Sequence, residues 1–168
     1  MSTKVEVDRE EVARGIVHKY MFGNAAVGLI PIPIVDLVAF TGVQLKMVQA
    51  LTELYETEFK KDVVKGILIS FVGSLGSLTV GAGLFLSALK IIPPASALVG
   101  MIALPLSSAA FTYAVGRAFI MHFEAGGNIL NLDAKAMHKY FKEFYDEGMN
   151  IAKSKNDAKS KSEDKDKD

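Results

Sequence analysis

The sequence predicts an all-α chain: a long central apolar helical hairpin, flanked by amphipathic helices and inserted in a membrane. Three observations predict it. Across residues 63–123 the only charged or imidazole side chains are Lys65, Lys90, Arg117 and His122. The stretches 66–89 and 91–116 carry no charge at all, and an uncharged, mostly apolar run of about 18 residues or more is the signature of a membrane span. The two runs meet at Ile92-Pro93-Pro94, which makes a sharp connection, and the mean hydropathy of +0.26 is high for a chain with a long charged segment.

Length and charge bound the rest. A chain of 168 residues makes one domain. Its formal net charge is zero; six Lys against five acids in 153–168 leave the remainder with one net negative charge, so nothing marks a nucleic-acid binder. There is no Cys, hence no disulfide framework and no thiolate site. The first residues, MSTKVEVDREEVAR, lack a basic region followed by an apolar core, so membrane entry would be directed by the internal segments.

A first helix opens at Asp8, which has capping-box spacing to Glu11, and Val12, Ile16 and Tyr20 line one of its faces up to a break at Gly23. Pro31 and Pro33 interrupt the apolar stretch that follows, and Pro33 suits the first turn of a second helix. Leu37, Thr41, Leu45, Val48, Leu51 and Tyr55 then recur at helical spacing, predicting an amphipathic helix over 34–59 with Glu53, Glu56 and Lys60 on its polar side.

The third helix, about 63–89, is long enough to cross a hydrocarbon core of roughly 30 Å. Its glycines Gly66, Gly73, Gly76, Gly81 and Gly83 weaken a helix in water but permit close backbone approach in a membrane; Gly73, Ser77 and Gly81 form a ridge of small residues. After Pro93 and Pro94 the fourth helix, about 95–123, carries Ala110, Ala114 and Ala118 as a second ridge, with a kink expected at Pro105. Gly126 and Gly127 stop the hairpin. Asp133 caps a last helix over about 134–150 with Met137, Phe141 and Phe144 on one side, and 151–168 reads as a disordered, charged tail. Lys60, Lys61 and Lys65 before the pair and Arg117 near its end, against Lys90 alone at the connection, put both termini in the cytoplasm.

Polar groups in this apolar setting are the candidate site residues. A buried carboxylate at Asp36 needs a partner, for which Arg117, Gln44 and the Tyr113 hydroxyl qualify. Arg117 also stands seven residues before Glu124, on one side of the helix end. His122 reads as an interface or packing histidine; with His18 and His138 far away in sequence there is no metal-ligand spacing. No phosphate-binding GxxxxGK[ST] is present, GSLGS at 73–77 lies within an apolar helix, and Ser70, Ser74 and Ser107 lack a His-and-carboxylate relay. No catalytic residue, cofactor or metal is expected.

The order of these features resembles the DUF697 family. The resemblance rests on Ile32-Pro33-Ile34 with Asp36, then Gln44, Met47, Leu51 and Tyr55, then Lys90, Ile92 and Pro93, then Thr112-Tyr113-Ala114 and Gly116, and covers roughly 18–126. It implies a membrane-associated helical module of a kind found joined to or encoded with bacterial GTPases. This chain carries no nucleotide-binding half, so a GTPase would be a partner in trans. Asp36, Gln44, Tyr55 and Tyr113 carry over as motif residues, and the residues alone assign them to helix registration and polar satisfaction.

The leading expectation is therefore a noncatalytic protein of a bacterial inner or internal membrane. It occupies 1–150 as one helical domain and acts in self-assembly as a homo-oligomer, or recruits a cytosolic partner, a GTPase among them. The residues expected to carry that packing or interaction are Asp36, Gln44, Tyr55, Gly73, Gly76, Ser77, Gly81, Pro93, Pro94, Tyr113, Ala114 and Arg117. Two alternatives stand beside it: a soluble oligomeric scaffold that buries the hairpin in a protein interface, and an oligomeric pore or transport component with Asp36 and Arg117 on a polar pathway.

Overall fold

Asp8 opens the first helix: its Oδ1 accepts from the Glu10 amide at 3.0 Å, and Glu10 and Glu11 place negative charge at the positive end of the helix dipole. The computed structural model describes residues 8–23, 33–78 and 94–165, and within them five α-helices: α1 (Arg9–Gly23), α2 (Pro33–Leu54), α3 (Lys61–Leu78), α4 (Pro94–Glu124) and α5 (His138–Lys165), with a 3-10 turn (Ile129–Asn131) before α5. Gly81 and Pro93 lie outside the described residues.

The helix α1 buries Ala13, Val17 and Met21, while Val12 is 37% exposed. The core face is thus turned by one residue, about 100°, from the Val12, Ile16 and Tyr20 line that the hydropathy pattern predicts. Ile16 and Tyr20 remain as partly buried flanks. In α2 the buried stripe is Gln44, Met47, Val48, Leu51 and Thr52, at the three- and four-residue spacing of an amphipathic helix.

The second helix stops five residues short of Phe59. Glu56 adopts a left-handed conformation (φ 55°), Glu56 N–H bonds to Glu53 O at 3.3 Å, and Thr57 N–H bonds to Thr52 O at 2.9 Å. That pair of bonds is a Schellman ending, which glycine usually supplies because a Cβ is disfavoured there. Glu56→Gly is expected to raise the unfolding free energy by about 1 kcal/mol. Chemical denaturation measures it, and a loss of stability would contradict the assignment. The same ending closes α4 with its preferred residue: Gly126 (φ 78°) bonds to Phe123 O, and Gly127 to His122 O, both at 2.9 Å.

The fourth helix is the centre of the molecule. Residues 109–116 are all buried, so two consecutive turns are enclosed on every side, and α5, α1 and α2 do the enclosing. A helix enclosed by protein is apolar all round, as a span in lipid is. Among the described residues no helix is long and apolar enough to cross a membrane. The expected membrane-inserted hairpin is corrected on that finding. With it go the lipid membrane as partner, the transmembrane assignment, and the inner-membrane or internal-membrane location with a topology built on two spans. The pairing also differs: Ala110 of α4 lies against Gly148 of α5, whereas among the described residues a Cβ on Gly73 of α3 would meet nothing within 4 Å.

An aromatic chain ties four helices together. Phe40 of α2 lies 5.4 Å from Phe111 of α4 between ring centroids, Phe111 meets Phe141 of α5 edge-on at 5.5 Å, and Phe141 stacks on Phe71 of α3 at 4.6 Å. Asp133 caps the turn over 134–137 that precedes α5, accepting from the Lys135 and Ala136 amides at 2.9 and 3.2 Å, and the helix begins four residues later than the spacing predicts. The helix then continues through the segment expected as a disordered tail, as far as Lys165.

Candidate functional site

Of the polar side chains singled out by sequence, Gln44, Tyr55, Tyr113 and Arg117 lie at the crossings of α1, α2, α4 and α5, and each of these four reaches a partner distant in the chain. Gln44 is 1% exposed, and its Nε2 donates to Thr112 Oγ1 at 2.7 Å; Thr112 in turn donates to Ser108 O at 3.0 Å. The pair joins α2 to α4 through an otherwise apolar layer. Tyr55, just after α2, donates its hydroxyl to Glu124 at the end of α4. Its ring packs on Phe123 at 5.3 Å and lies 5.9 Å from the Arg9 guanidinium. Burial first, then the Glu124 hydrogen bond, push the Tyr55 phenol well above its ordinary range.

Tyr113 donates to Glu147 Oε1 at 2.7 Å, joining α4 to α5, and His18 of α1 meets its ring edge-on at 5.8 Å. Arg117, one turn on, reaches Glu10 Oε1 at 3.5 Å and lies 5.2 Å from the centre of the Phe144 ring. Glu10 also accepts from Arg14 at 2.6 Å, and that contact holds its carboxyl below the usual range while raising Arg14. Ala114 is fully buried. Asp36 lies in α2, Gly76 and Ser77 in α3, and Pro94 begins α4. The expected pairing of Asp36 lies outside the described residues; of the three groups considered for it, Arg117 meets Glu10, Gln44 meets Thr112 and Tyr113 meets Glu147.

A second polar knot closes the end of α4. His122 Nε2 lies 2.9 Å from both Asn128 O and Asn131 Oδ1, and because Asn128 O can only accept, this nitrogen carries the proton. Asn131 Oδ1 also accepts from the Asn128 amide at 2.7 Å, and Asn128 Oδ1 from the Leu130 amide at 2.9 Å. The imidazole fills the space a side chain at Gly127 would need, since a Cβ there would stand 2.3 Å from His122 Nε2. His122 thus fastens the turn between α4 and α5.

Chemically these are ties. Glu10, Glu124 and Glu147 are each held by an Arg or a Tyr, and among the described residues no His, Cys, Asp and Glu group could hold a metal ion. The phenol of Tyr113 is pushed up to about 12 by burial and by its bond to Glu147. An unfolded tyrosine ionises at about 10, so between those values the folded chain keeps a proton that the unfolded chain has lost. The stabilisation is complete below the lower value and disappears as pH rises through the higher one. Tyr113→Phe is expected to lessen the decline of unfolding free energy across that window in denaturant titrations, Tyr55 supplying the remainder, and an unchanged slope would remove Tyr113 as a source.

Sequence reasoning did not find the carboxylate partners Glu10 and Glu147, nor the close crossings at Gly116 and Gly148. A Cβ on Gly116 would stand 2.3 Å from Val17 Cγ2, and one on Gly148 2.9 Å from Tyr113 Cβ. A signal for Gly148 was present: with Phe141 and Ala152 it falls at helical spacing on the apolar stripe of α5, where a glycine marks close approach.

The family model for a domain of unknown function, DUF697, matches residues 1–148. A protein of Magnetospirillum gryphiswaldense described as magnetosome membrane protein 22 is 34% identical over 150 residues, covering 89% of this chain and 77% of that protein. No solved structure matches significantly. Neither description mentions a GTPase, so the partner implied by the sequence resemblance gains no support from them.

Proposed function

We propose a function from one premise: this chain belongs to the DUF697 family. It acts as a noncatalytic helical scaffold that assembles with further copies of itself and buries its exposed apolar surface in a protein interface. The observation that carries this reading is the outer side of α3 and of the elements packed on it. There Ile69 is 72% exposed, Val72 55%, Leu130 on the 3-10 turn 61% and Tyr140 on α5 43%. Large apolar side chains left exposed on α3 and on the elements in contact with it are the surface such an interface would cover. The noncatalytic part is supported by the engagement of the candidate polar groups with one another across helix crossings.

Light scattering on the full chain, purified without detergent, tests the reading. The expected result is a discrete multiple of 18.2 kDa that persists on dilution. A monomer at micromolar concentrations would overturn it. So would quantitative flotation with phospholipid vesicles, because lipid would then be covering the apolar surface.

A further inference from the structure

The helices α1 and α5 each pack on α4, and among the described residues they share little packing with each other. They are nevertheless joined by a closed run of side-chain contacts. Lys155 of α5 places its Nζ 3.5 Å from the centre of the Phe22 ring at the end of α1. Phe22 meets His18 edge-on at 6.1 Å, His18 meets Tyr113 of α4 edge-on at 5.8 Å, and Tyr113 donates to Glu147 Oε1 at 2.7 Å. Glu147 and Lys155 stand about two turns apart on α5, roughly 12 Å along its axis, so the run returns to the helix it left. Past Gly148, α5 runs on to Lys165, and this continuation has two parts. Gly148, Ala152 and Lys155 follow at four- and three-residue spacing, on the side of the helix where Gly148 and Ala152 are buried. From Asn156 to Ser162 every residue is exposed.

We propose that residues 149–155 are a strap that fastens the last turn of α1, with the Lys155 ammonium on the Phe22 ring as its clasp. The face of an aromatic ring attracts a cation, and 3.5 Å lies well inside the roughly 6 Å over which that attraction acts. What the clasp keeps shut is core. Met21, beside Phe22, is fully buried, and so is Val17 one turn back, which lies against Gly116 of α4. A cation–ring contact at an exposed site shifts an equilibrium only a few-fold. The strap therefore holds the end of α1 lightly, and that turn opens ahead of the enclosed part of α4. The device depends on one positive charge, supplied from a helix that otherwise scarcely touches α1.

Hydrogen exchange on the full chain tests the strap, because it reads the end of α1 separately from the rest. Lys155→Met keeps a flexible apolar stem and a good helix former while removing the charge. It is expected to speed exchange of the amides at 19–23 about two- to fivefold and to leave those at 112–118 of α4 unchanged. Lys155→Arg should keep the slow exchange of the parent, since a guanidinium also sits on a ring face. In a Phe22→Leu background, which has no ring to hold the cation, Lys155→Met should add nothing. A chain ending at Asn156 keeps the clasp and should match the parent. Unchanged exchange in Lys155→Met overturns the strap, and so does a rise shared equally by α1 and α4, the mark of a general loss of stability. An undiminished effect of Lys155→Met in the Phe22→Leu background would show the charge acting elsewhere. Faster exchange at 19–23 in the chain ending at Asn156 would show later residues holding α1. Either result overturns the proposal.

Discussion

Phe141→Ala will lower the unfolding free energy by about 4 kcal/mol, the middle of the range for removing a buried phenylalanine. Phe141 is fully buried and touches rings from two other helices, stacking on Phe71 at an interplanar angle of 16° and meeting Phe111 edge-on. Ring pairs of this geometry add to the area term, so truncation forfeits both transfer energy and two oriented contacts. The loss should also be uneven. The third helix holds to the described body through α2, α5 and the 3-10 turn, and the Phe71–Phe141 stack is the centre of its hold on α5. Hydrogen exchange should therefore rise in α3 before it rises in α4. A destabilisation below about 1 kcal/mol, or uniform exchange, would show that the stack is not what seats α3.

Gly116→Ala comes next in size. A single methyl at this position would stand 2.3 and 2.7 Å from the two γ-carbons of Val17. Val17 is fully buried and β-branched, so it has little freedom to rotate away, and α1 must move instead. Overpacking of this kind costs about 1–3 kcal/mol, against a gain of about 1 kcal/mol in helix propensity. The expected net loss reaches about 2 kcal/mol at most. Gly15→Ala provides the contrast: it lies in α1 with nothing within 4 Å of its added methyl and should be neutral or stabilising. Combining Gly116→Ala with Val17→Ala should recover part of the loss. A strictly additive double mutant would mean that the two residues are not in contact in solution.

Much of the helical layout was legible because it depends on local chemistry. Asp8 announces a helix entry by its capping preference, Pro33 suits a first turn, and Gly126 suits a left-handed ending, whereas Asp133 caps only the turn before α5. The ending at Glu56 was illegible because the residue there is one that the conformation disfavours. The face of α1 was misjudged because Val12, Ile16 and Tyr20 are larger than Ala13, which the core takes since α1 lies close to α4 at Gly116. The hydropathy of α4 could not distinguish enclosure by helices from enclosure by lipid, because both remove the same side chains from water. Pairings such as Arg117 with Glu10, 107 residues apart, depend on how helices cross, which no local pattern encodes. The charged end of α5 shows the reverse. Its composition builds no core, yet Lys and Ala favour helix, and Lys155 lies 3.5 Å from the centre of the Phe22 ring.

The ring contacts linking Phe40 to Phe111 and Phe71 to Phe141 each join residues about seventy positions apart. During synthesis α2 and α3 therefore emerge long before the rings that cover them, and α4 emerges before α5 can close over it. Until residue 141 has left the ribosome, the apolar inner sides of three helices stand open, the condition in which nascent chains are captured by chaperones or by each other. A ribosome stalled within the segment that encodes α5 would hold this chain at its most adhesive.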